Sequence, residues 1–188
     1  MNGDMTNQQE RILVVDDEAV IRKLLCQKLS REGYQCEEAS GAEQALDKLR
    51  GNPTELMILD IRMPGKSGIE LLPEIRASYP DTAVIMATAV TGINVAIQCM
   101  KRGAYDYVSK PFNLQEVSLS VDRALEKRRL ELEIREYQQY LEQKVEEQTW
   151  GIRKVFLSAI EALVFALEAK DSYTAGHSRR VTEIAMAI

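Results

Sequence analysis

The chain has 188 residues, a net charge of -5 and a sequence pI near 5.1. This acidic balance argues against direct binding to nucleic acid. No apolar run approaches the roughly 20 residues that a membrane-spanning helix needs, and the first residues do not form a signal peptide, so we expect a cytoplasmic protein without a membrane partner.

Strand and helix patterns alternate along the first two thirds of the chain. Short apolar runs predict strands at residues 11–15, 34–38, 56–60, 83–87 and 105–108. Apolar side chains at helical spacing predict a helix after each strand, and Ser40 is the predicted N-cap of the second helix. Five strand-helix units in succession predict an α/β fold, a doubly wound five-stranded parallel sheet with a long C-terminal helical extension.

Charged residues stand where three of these strands end. Asp16 and Asp17 follow the first strand, Asp60 closes the third, and Lys110 follows the fifth. Ligands of such sheets bind outside the carboxyl ends of the strands. A single aspartate at a strand end is more often a helix N-cap, but three carboxylates facing a cation predict a site for a hard divalent metal and a phosphoryl group.

The chain has three cysteines, which bear on whether it holds a disulfide or a metal site. Cys26, Cys36 and Cys99 are odd in number and lack the spacing of a metal-binding pair. This pattern predicts buried free thiols rather than a disulfide or a zinc site.

One long helix is predicted after residue 123. Residues 123–150 mix acidic and basic side chains and contain no proline or glycine. Spacings of three and four separate a stripe of apolar or tolerant positions, namely Leu130, Ile134, Tyr137, Leu141, Val145, Gln148, Ile152, Val155 and Ala159. The stripe predicts a parallel homodimeric coiled coil with a four-residue insertion between Leu141 and Val145. A solvated single helix held by charge pairs is the alternative.

Four stretches of the chain resemble the receiver domain of two-component response regulators. They follow that family's order and read Val14-Val15-Asp16-Asp17-Glu18, Leu59-Asp60-Ile61-Arg62-Met63-Pro64-Gly65, Thr88-Ala89 and Gly103-Ala104-Tyr105-Asp106-Tyr107-Val108-Ser109-Lys110-Pro111-Phe112. The resemblance covers about residues 10–125, and the combination of motifs is highly specific. It implies a flavodoxin-like fold and a sensor histidine kinase as the partner that supplies a phosphoryl group.

The resemblance implies a role for each residue of the site. Asp60 would be the nucleophile that accepts the phosphoryl group, and Lys110 would pair with Asp60 and later with a phosphoryl oxygen. Asp17, Asp60 and the backbone carbonyl of Arg62 would hold Mg²⁺, and Asp16 would reach it directly or through water. Such an ion neutralises the charge that builds up on the transferring group.

Thr88, Ala89 and Tyr107 would carry the response to phosphorylation. Thr88 and the backbone N–H of Ala89 would donate to the phosphoryl group, and the space that Thr88 leaves would let the Tyr107 ring turn inward. A tyrosine that merely packs at a sheet edge is the alternative for Tyr107. The resemblance also implies a cis peptide bond between Lys110 and Pro111.

A second resemblance begins beyond Gly151, which is the predicted flexible joint of the helix. The apolar face widens over residues 152–167, and residues 168–181 resemble the opening of an HD-GYP domain, a metal-dependent hydrolase of cyclic di-GMP. The resemblance places His177 among that family's metal ligands. One histidine cannot build a two-metal site, so His177 is expected to be an ordinary histidine within residues 1–188, which should not hydrolyse cyclic di-GMP themselves.

These observations predict four segments: a disordered tail at residues 1–9, a receiver domain at 10–125, a coiled-coil signalling helix at 126–151, and the truncated start of an HD-GYP-like output domain at 152–188. We expect a response regulator that takes up and loses a phosphoryl group and relays the change to a phosphodiesterase in a longer parent protein. A dimerising adaptor and part of a hybrid histidine kinase, with His177 phosphorylated, are the alternatives. A transcription factor is disfavoured because no basic recognition helix follows the receiver segment.

Overall fold

The computed structural model describes residues 9–89 and 93–170. Strands and helices alternate in these ranges, in the order β1 (Arg11–Val15), α1 (Ala19–Arg31), β2 (Gln35–Ala39), α2 (Ala42–Gly51), β3 (Leu56–Asp60), α3 (Gly68–Ser78), β4 (Ala83–Thr88), α4 (Ile93–Lys101), β5 (Asp106–Ser109) and α5 (Leu114–Lys170). Among the described helices, none combines the length and the apolar character that crossing a bilayer requires. The chain divides into two units, residues 1–133 and residues 134–188, and each is described by itself.

The five strands form one parallel sheet in the order β2-β1-β3-β4-β5. This arrangement confirms the predicted doubly wound sheet. The chain runs outward from β1 to β2 and then returns to place β3 on the other side of β1, so the strand order reverses between β1 and β3. Val15 pairs with Leu59 at that boundary, which brings the carboxyl ends of β1 and β3 side by side. Ligands of open α/β sheets bind at such a reversal point.

Alternate side chains of the central strands fill two cores, one on each face of the sheet. Leu13 and Val15 of β1 belong to the core formed with α2, α3 and α4. Ile12 and Val14 belong to the core formed with α1 and the first turns of α5. Burial on both faces explains why β1, β3 and β4 read as continuous apolar runs in the sequence.

The second helix begins one residue later than its predicted capping residue allows. Gly41, not Ser40, is the N-cap of α2. The backbone N–H and the hydroxyl of Ser40 both donate to the side-chain carbonyl oxygen of Gln44, at 2.7 Å and 3.0 Å. The hydroxyl is therefore engaged with a side chain rather than with the first turn of the helix. The predicted N-cap at Ser40 is wrong.

The prediction of three free thiols is wrong for two of the cysteines. Cys26 of α1 and Cys36 of β2 form a disulfide, with their Cα atoms 5.3 Å apart. Cys99 of α4 is free and buried, as predicted. The pairing depends on how α1 packs against β2, and sequence spacing carries no information on that contact.

The long helix after the sheet is confirmed, since α5 continues from Leu114 to Lys170. It remains helical at Gly151, so a flexible joint there would have to form within a continuous helix and stays a prediction. A single glycine in a long helix lowers its stability by only about 1 kcal/mol, and strong helix formers surround this one. In the single chain, the large apolar residues of the stripe are all exposed, namely Leu130, Ile134, Tyr137, Leu141, Val145, Ile152 and Val155.

Candidate functional site

Three carboxylates meet at the carboxyl ends of β1 and β3. One oxygen from each of Asp16, Asp17 and Asp60 lies within 4.8 Å of the others. Asp16 and Asp60 are buried, and Asp17 is exposed. The sheet register explains the convergence: Asp16 and Asp17 follow Val15 directly, and Asp60 is the last residue of the neighbouring strand.

Lys110 provides the cation that faces this cluster. Its ammonium nitrogen lies 2.6 Å from Oδ2 of Asp16, 3.1 Å from Oδ1 of Asp60 and 3.7 Å from Oε1 of Glu18. The Lys110 side chain is 12% exposed, so water screens these pairs only weakly. The Lys110-Pro111 peptide bond is cis, which confirms the prediction for that bond.

Burial and charge act in opposite directions on the two ionisable groups at the centre. Burial raises the pKa of the Asp60 carboxyl above its ordinary value, Lys110 opposes that rise, and the charges of Asp16 and Asp17 add to it. Burial also lowers the pKa of Lys110, but its bonds to Asp16 and Asp60 outweigh burial and hold that pKa above its usual range. Lys110 therefore stays charged, while the ionised form of Asp60 is disfavoured by burial and by its two neighbouring carboxylates.

Backbone hydrogen bonds fix the β1–α1 turn that carries two of the carboxylates. The backbone N–H of Asp16 donates to the carbonyl of Ala39 at 3.1 Å, and Oδ1 of Asp16 accepts from the backbone N–H of Glu18 at 2.9 Å. Arg22 of α1 donates through Nη1 to the carbonyls of Asp16 and Asp17, at 2.7 Å and 3.1 Å. Sequence reasoning missed Arg22, because its position on α1 resembles that of any surface arginine.

A close backbone approach shapes the turn after β3. A Cβ atom at Gly68 would lie 2.1 Å from the carbonyl oxygen of Asp60, and the N–H of Gly68 donates to the carbonyl of Ile61 at 3.0 Å. Ser67 and Glu70 form a capping box that starts α3 at this point. Sequence reasoning missed Gly68. A glycine directly after the serine of a Ser-x-x-Glu capping signature was the available signal.

The remaining predicted residues lie along the same edge or next to it. Arg62 follows Asp60 by two residues in the β3–α3 turn. Thr88 is the buried last residue of β4, and Ala89, which follows it, is exposed. Tyr107 lies on β5, pairs with Met86 in the sheet and is 47% exposed. His177 lies outside the described residues.

The donor set fits a hard divalent cation. Carboxylate oxygens are the ligands that Mg²⁺, Mn²⁺ and Ca²⁺ prefer, and three of them converge here with Lys110 as the facing cation. The cluster therefore keeps an excess of negative charge that a divalent ion would neutralise. The same arrangement suits transfer of a phosphoryl group, because Asp60 is a carboxylate nucleophile with a cation beside it.

Comparisons with known proteins agree with this site. The response regulator receiver domain family matches residues 12–122. Regulatory protein AtoC of Escherichia coli strain K12 is 37% identical over 131 residues, which is 70% of this chain and 28% of AtoC. The chain thus spans little more than a quarter of the length of this curated relative.

Two solved structures extend the comparison to three dimensions. The CheY-like receiver domain protein of Methanospirillum hungatei JF-1 is 30% identical with a TM-score of 0.62, over 65% of this chain and 98% of that one. The signal receiver domain of an HD domain-containing protein from Pseudomonas fluorescens Pf-5 is 33% identical with a TM-score of 0.62, also over 65% of this chain and 98% of its own.

Proposed function

This chain belongs to the family of response regulator receiver domains, and we propose that its Asp60 accepts a phosphoryl group from a phosphohistidine of a sensor histidine kinase. One observation carries the proposal. Asp60 ends β3 within reach of two further carboxylates and 3.1 Å from the Lys110 ammonium. Asp16 is also buried and contacts Lys110, but its two oxygens accept from the backbone N–H of Glu18 and from Lys110, whereas Asp60 closes the central strand of the sheet.

The transfer is a single displacement at phosphorus. A carboxylate oxygen of Asp60 forms a bond to phosphorus as the bond between phosphorus and the histidine nitrogen breaks. The electron pair of that bond stays on the imidazole, which takes up a proton, and Asp60 becomes an acyl phosphate. Lys110, which now balances the charges of Asp16 and Asp60, would pair with a phosphoryl oxygen afterwards.

We propose Mg²⁺ as the cofactor of this site. Asp17, Asp60 and the backbone carbonyl of Arg62 would hold it, with Asp16 bound directly or through water. When bound, the ion neutralises charge on the transferring group. The two oxygens of Asp16 already accept from Glu18 and Lys110, which supports the water-mediated role for that residue.

The proposed response runs through β4 and β5. Thr88 and the backbone N–H of Ala89 would donate to the phosphoryl group, and Tyr107 would turn inward as Thr88 moves. The neighbouring pairing of β4 with β5 supports this route, since Met86 of β4 lies beside Tyr107. The exposed position of the Tyr107 ring is the starting state that such a rotation requires.

The proposed segments beyond the sheet are a coiled-coil signalling helix at 126–151 and output helices at 152–188, after a receiver domain at 10–125 and a tail at 1–9. A parallel homodimer would bury the exposed apolar stripe of α5. We propose a cyclic di-GMP phosphodiesterase as the output of a longer parent protein, and a dimerising adaptor as the second candidate. The likeness to the receiver domain of an HD domain-containing protein supports the first.

The decisive experiment maps the phosphoryl group. The purified chain is incubated with acetyl phosphate and Mg²⁺, and the modified residue is located by mass spectrometry after trapping of the acyl phosphate. We expect modification at Asp60 that requires Mg²⁺ and disappears in Asp60→Asn. The matched control is Asp47→Asn, an exposed aspartate on α2 that should remain as reactive as the parent. Equal labelling of Asp60→Asn and parent would overturn the proposal.

A second experiment tests the output. A longer parent protein that includes residues beyond 188 is assayed for hydrolysis of cyclic di-GMP beside residues 1–188 alone. We expect turnover only by the longer protein, because a two-metal site needs several His and Asp ligands around a shared water. Turnover by residues 1–188 would place the catalytic site elsewhere, and its absence in both proteins would favour the adaptor.

A further inference from the structure

Arg22 links two elements at the entrance of the acidic site. It lies on the first turn of α1, and its Nε atom is 3.2 Å from Oε2 of Glu38 on β2. The Arg22 side chain is only 14% exposed. A partly buried guanidinium with a carboxylate partner has a restricted orientation, because its planar donors leave little freedom once they are bonded.

The other donors of Arg22 bind the backbone that carries two proposed metal ligands. Nη1 donates to the carbonyl of Asp16 at 2.7 Å and to the carbonyl of Asp17 at 3.1 Å. The N–H of Asp16 is held in turn by the carbonyl of Ala39 at the end of β2. The Asp16-Asp17 segment is thus held by β2 through the N–H of Asp16 and by Arg22 through the carbonyls of Asp16 and Asp17.

This arrangement sets the direction of the Asp17 carboxylate. The Asp17 side chain is exposed, whereas the oxygens of Asp16 accept bonds from Glu18 and Lys110. The orientation of Asp17 therefore depends strongly on the orientation of its own peptide group, which Arg22 fixes through the two carbonyls. A backbone that turns freely here would present Asp17 to the cation for only part of the time.

We infer that Arg22, anchored by Glu38, is a positioning residue that holds the Asp16-Asp17 backbone for divalent cation binding. The inference rests on the proposed function, because it assigns the cation to the same carboxylates. Arg22 touches neither the cation nor the phosphoryl group. It acts through the peptide groups of Asp16 and Asp17, in the way that outer partners orient metal ligands elsewhere.

The charge of Arg22 offers a sharp distinction between positioning and simple electrostatics. A cation near the site repels Mg²⁺, so removing Arg22 should tighten Mg²⁺ binding if its charge were the main effect. Removing a positioning group should weaken Mg²⁺ binding instead. The two accounts therefore predict opposite changes in Mg²⁺ affinity for the same substitution, Arg22→Met.

The experiment measures Mg²⁺ affinity by titration calorimetry on the whole chain. We expect Arg22→Met to raise the Kd for Mg²⁺ about tenfold. Arg22→Lys, which keeps the charge but lacks the planar fork, should also bind more weakly, and Glu38→Gln should lie between parent and Arg22→Met. Phosphorylation of Asp60 by acetyl phosphate at saturating Mg²⁺ should stay within about twofold of the parent rate, because the reacting groups are unchanged.

Arg50→Met is the matched control, since Arg50 forms an exposed pair with Asp47 on α2, and its Mg²⁺ affinity should equal that of the parent. Parental or tighter Mg²⁺ binding by Arg22→Met and Arg22→Lys would overturn the inference while leaving the proposed function intact. If Arg22→Met unfolds, Glu38→Gln alone decides, because it keeps the Arg22 side chain and its charge and weakens only the bond that anchors it. A parent that does not bind Mg²⁺ would overturn the proposed function and the inference together.

Discussion

Lys110 lies closer to Asp16 than to the proposed phosphoryl acceptor. Its ammonium nitrogen is 2.6 Å from Asp16 and 3.1 Å from Asp60. Loss of the charge on Asp60 therefore leaves Lys110 with a carboxylate partner. Because a buried cation without a partner is costly, this sharing protects the fold when Asp60 is neutralised.

The first prediction is that Asp60→Asn folds more stably than the parent at neutral pH without Mg²⁺. Burial raises the pKa of Asp60 in the folded chain above its ordinary value, so the folded state binds this proton more tightly than the unfolded state. Ionisation of Asp60 therefore lowers the free energy of unfolding as pH rises from the pKa of Asp60 in the unfolded chain to its higher pKa in the folded chain. Above both pKa values the full loss is present. Urea unfolding at neutral pH and at successively lower pH should show an advantage for Asp60→Asn that shrinks on acidification.

Asp47→Asn is the control, because Asp47 is an exposed partner of Arg50 and its loss should change the free energy of unfolding by no more than about 0.5 kcal/mol. Saturating Mg²⁺ should reverse the order of stability, since the ion binds only the folded parent tightly. An Asp60→Asn variant that is less stable than the parent without Mg²⁺ would contradict the electrostatic account of the site.

The second prediction separates the two adjacent aspartates. Asp17→Ala should weaken Mg²⁺ binding more than Asp16→Ala, because the oxygens of Asp16 already accept from Glu18 and Lys110, whereas Asp17 is exposed at the cluster. Calorimetric titration with Mg²⁺ gives both Kd values directly. Titration curves that coincide for the two variants and the parent would reject this division of roles.

The third prediction concerns the turn after β3. Gly68→Ala should lower the free energy of unfolding by about 1 to 3 kcal/mol, because its Cβ would meet the Asp60 carbonyl oxygen, a backbone atom that cannot move without disturbing β3. The same displacement should slow phosphorylation of Asp60. Urea unfolding and acetyl phosphate labelling measure the two effects.

Gly51→Ala is the matched control, because no atom lies within 4 Å of the Cβ position at Gly51. Alanine there should leave stability unchanged or raise it by up to about 1 kcal/mol, since alanine is the better helix former. Equal changes in the free energy of unfolding for Gly68→Ala and Gly51→Ala would show that the backbone at Asp60 accommodates the added Cβ without loss of stability.

The fourth prediction is that one thiol reacts in the unfolded chain before reduction and three react afterwards, since Cys26 and Cys36 are paired and Cys99 is free. Replacing both paired cysteines with serine should lower the free energy of unfolding by about 2 to 3 kcal/mol under non-reducing conditions, from the closure of a short loop. Thiol titration in denaturant measures the first effect. A parent whose stability does not change on adding a reductant would contradict the second.

The strand ends were predictable because burial on both faces leaves continuous apolar runs, and Asp16, Asp60 and Lys110 stand where those runs stop. The contacts that hold the site were not. Arg22 binds carbonyl oxygens, which are present at every residue and leave no mark in the sequence, and Gly68 is defined by the path of a neighbouring strand. The predicted N-cap of α2 was wrong for a related reason, since the Ser40 hydroxyl donates to the side chain of Gln44.

The last prediction concerns the second unit of the chain, in which Leu141 and Val145 are 43% and 62% exposed. A stripe with spacings near 3.5 residues keeps facing a partner over several turns, so a second copy of α5 would remove these side chains from water. Leu141→Glu combined with Val145→Glu places charges in the middle of that stripe. We expect this variant to sediment as a monomer and still to accept a phosphoryl group at Asp60.

The matched control adds the same charges at the same spacing on the opposite face, as Gln139→Glu with Gln143→Glu. It should sediment as the parent does, because positions 139 and 143 lie about half a turn away from the Leu141–Val145 stripe on a helix of 3.6 residues per turn. In the proposed coiled coil, the four-residue insertion between Leu141 and Val145 would locally unwind the supercoil and suit two competing registers, so phosphorylation should change the strength of any dimer that forms. A parent chain that is monomeric at high micromolar concentration, with and without a phosphoryl mimic, would contradict the coiled coil.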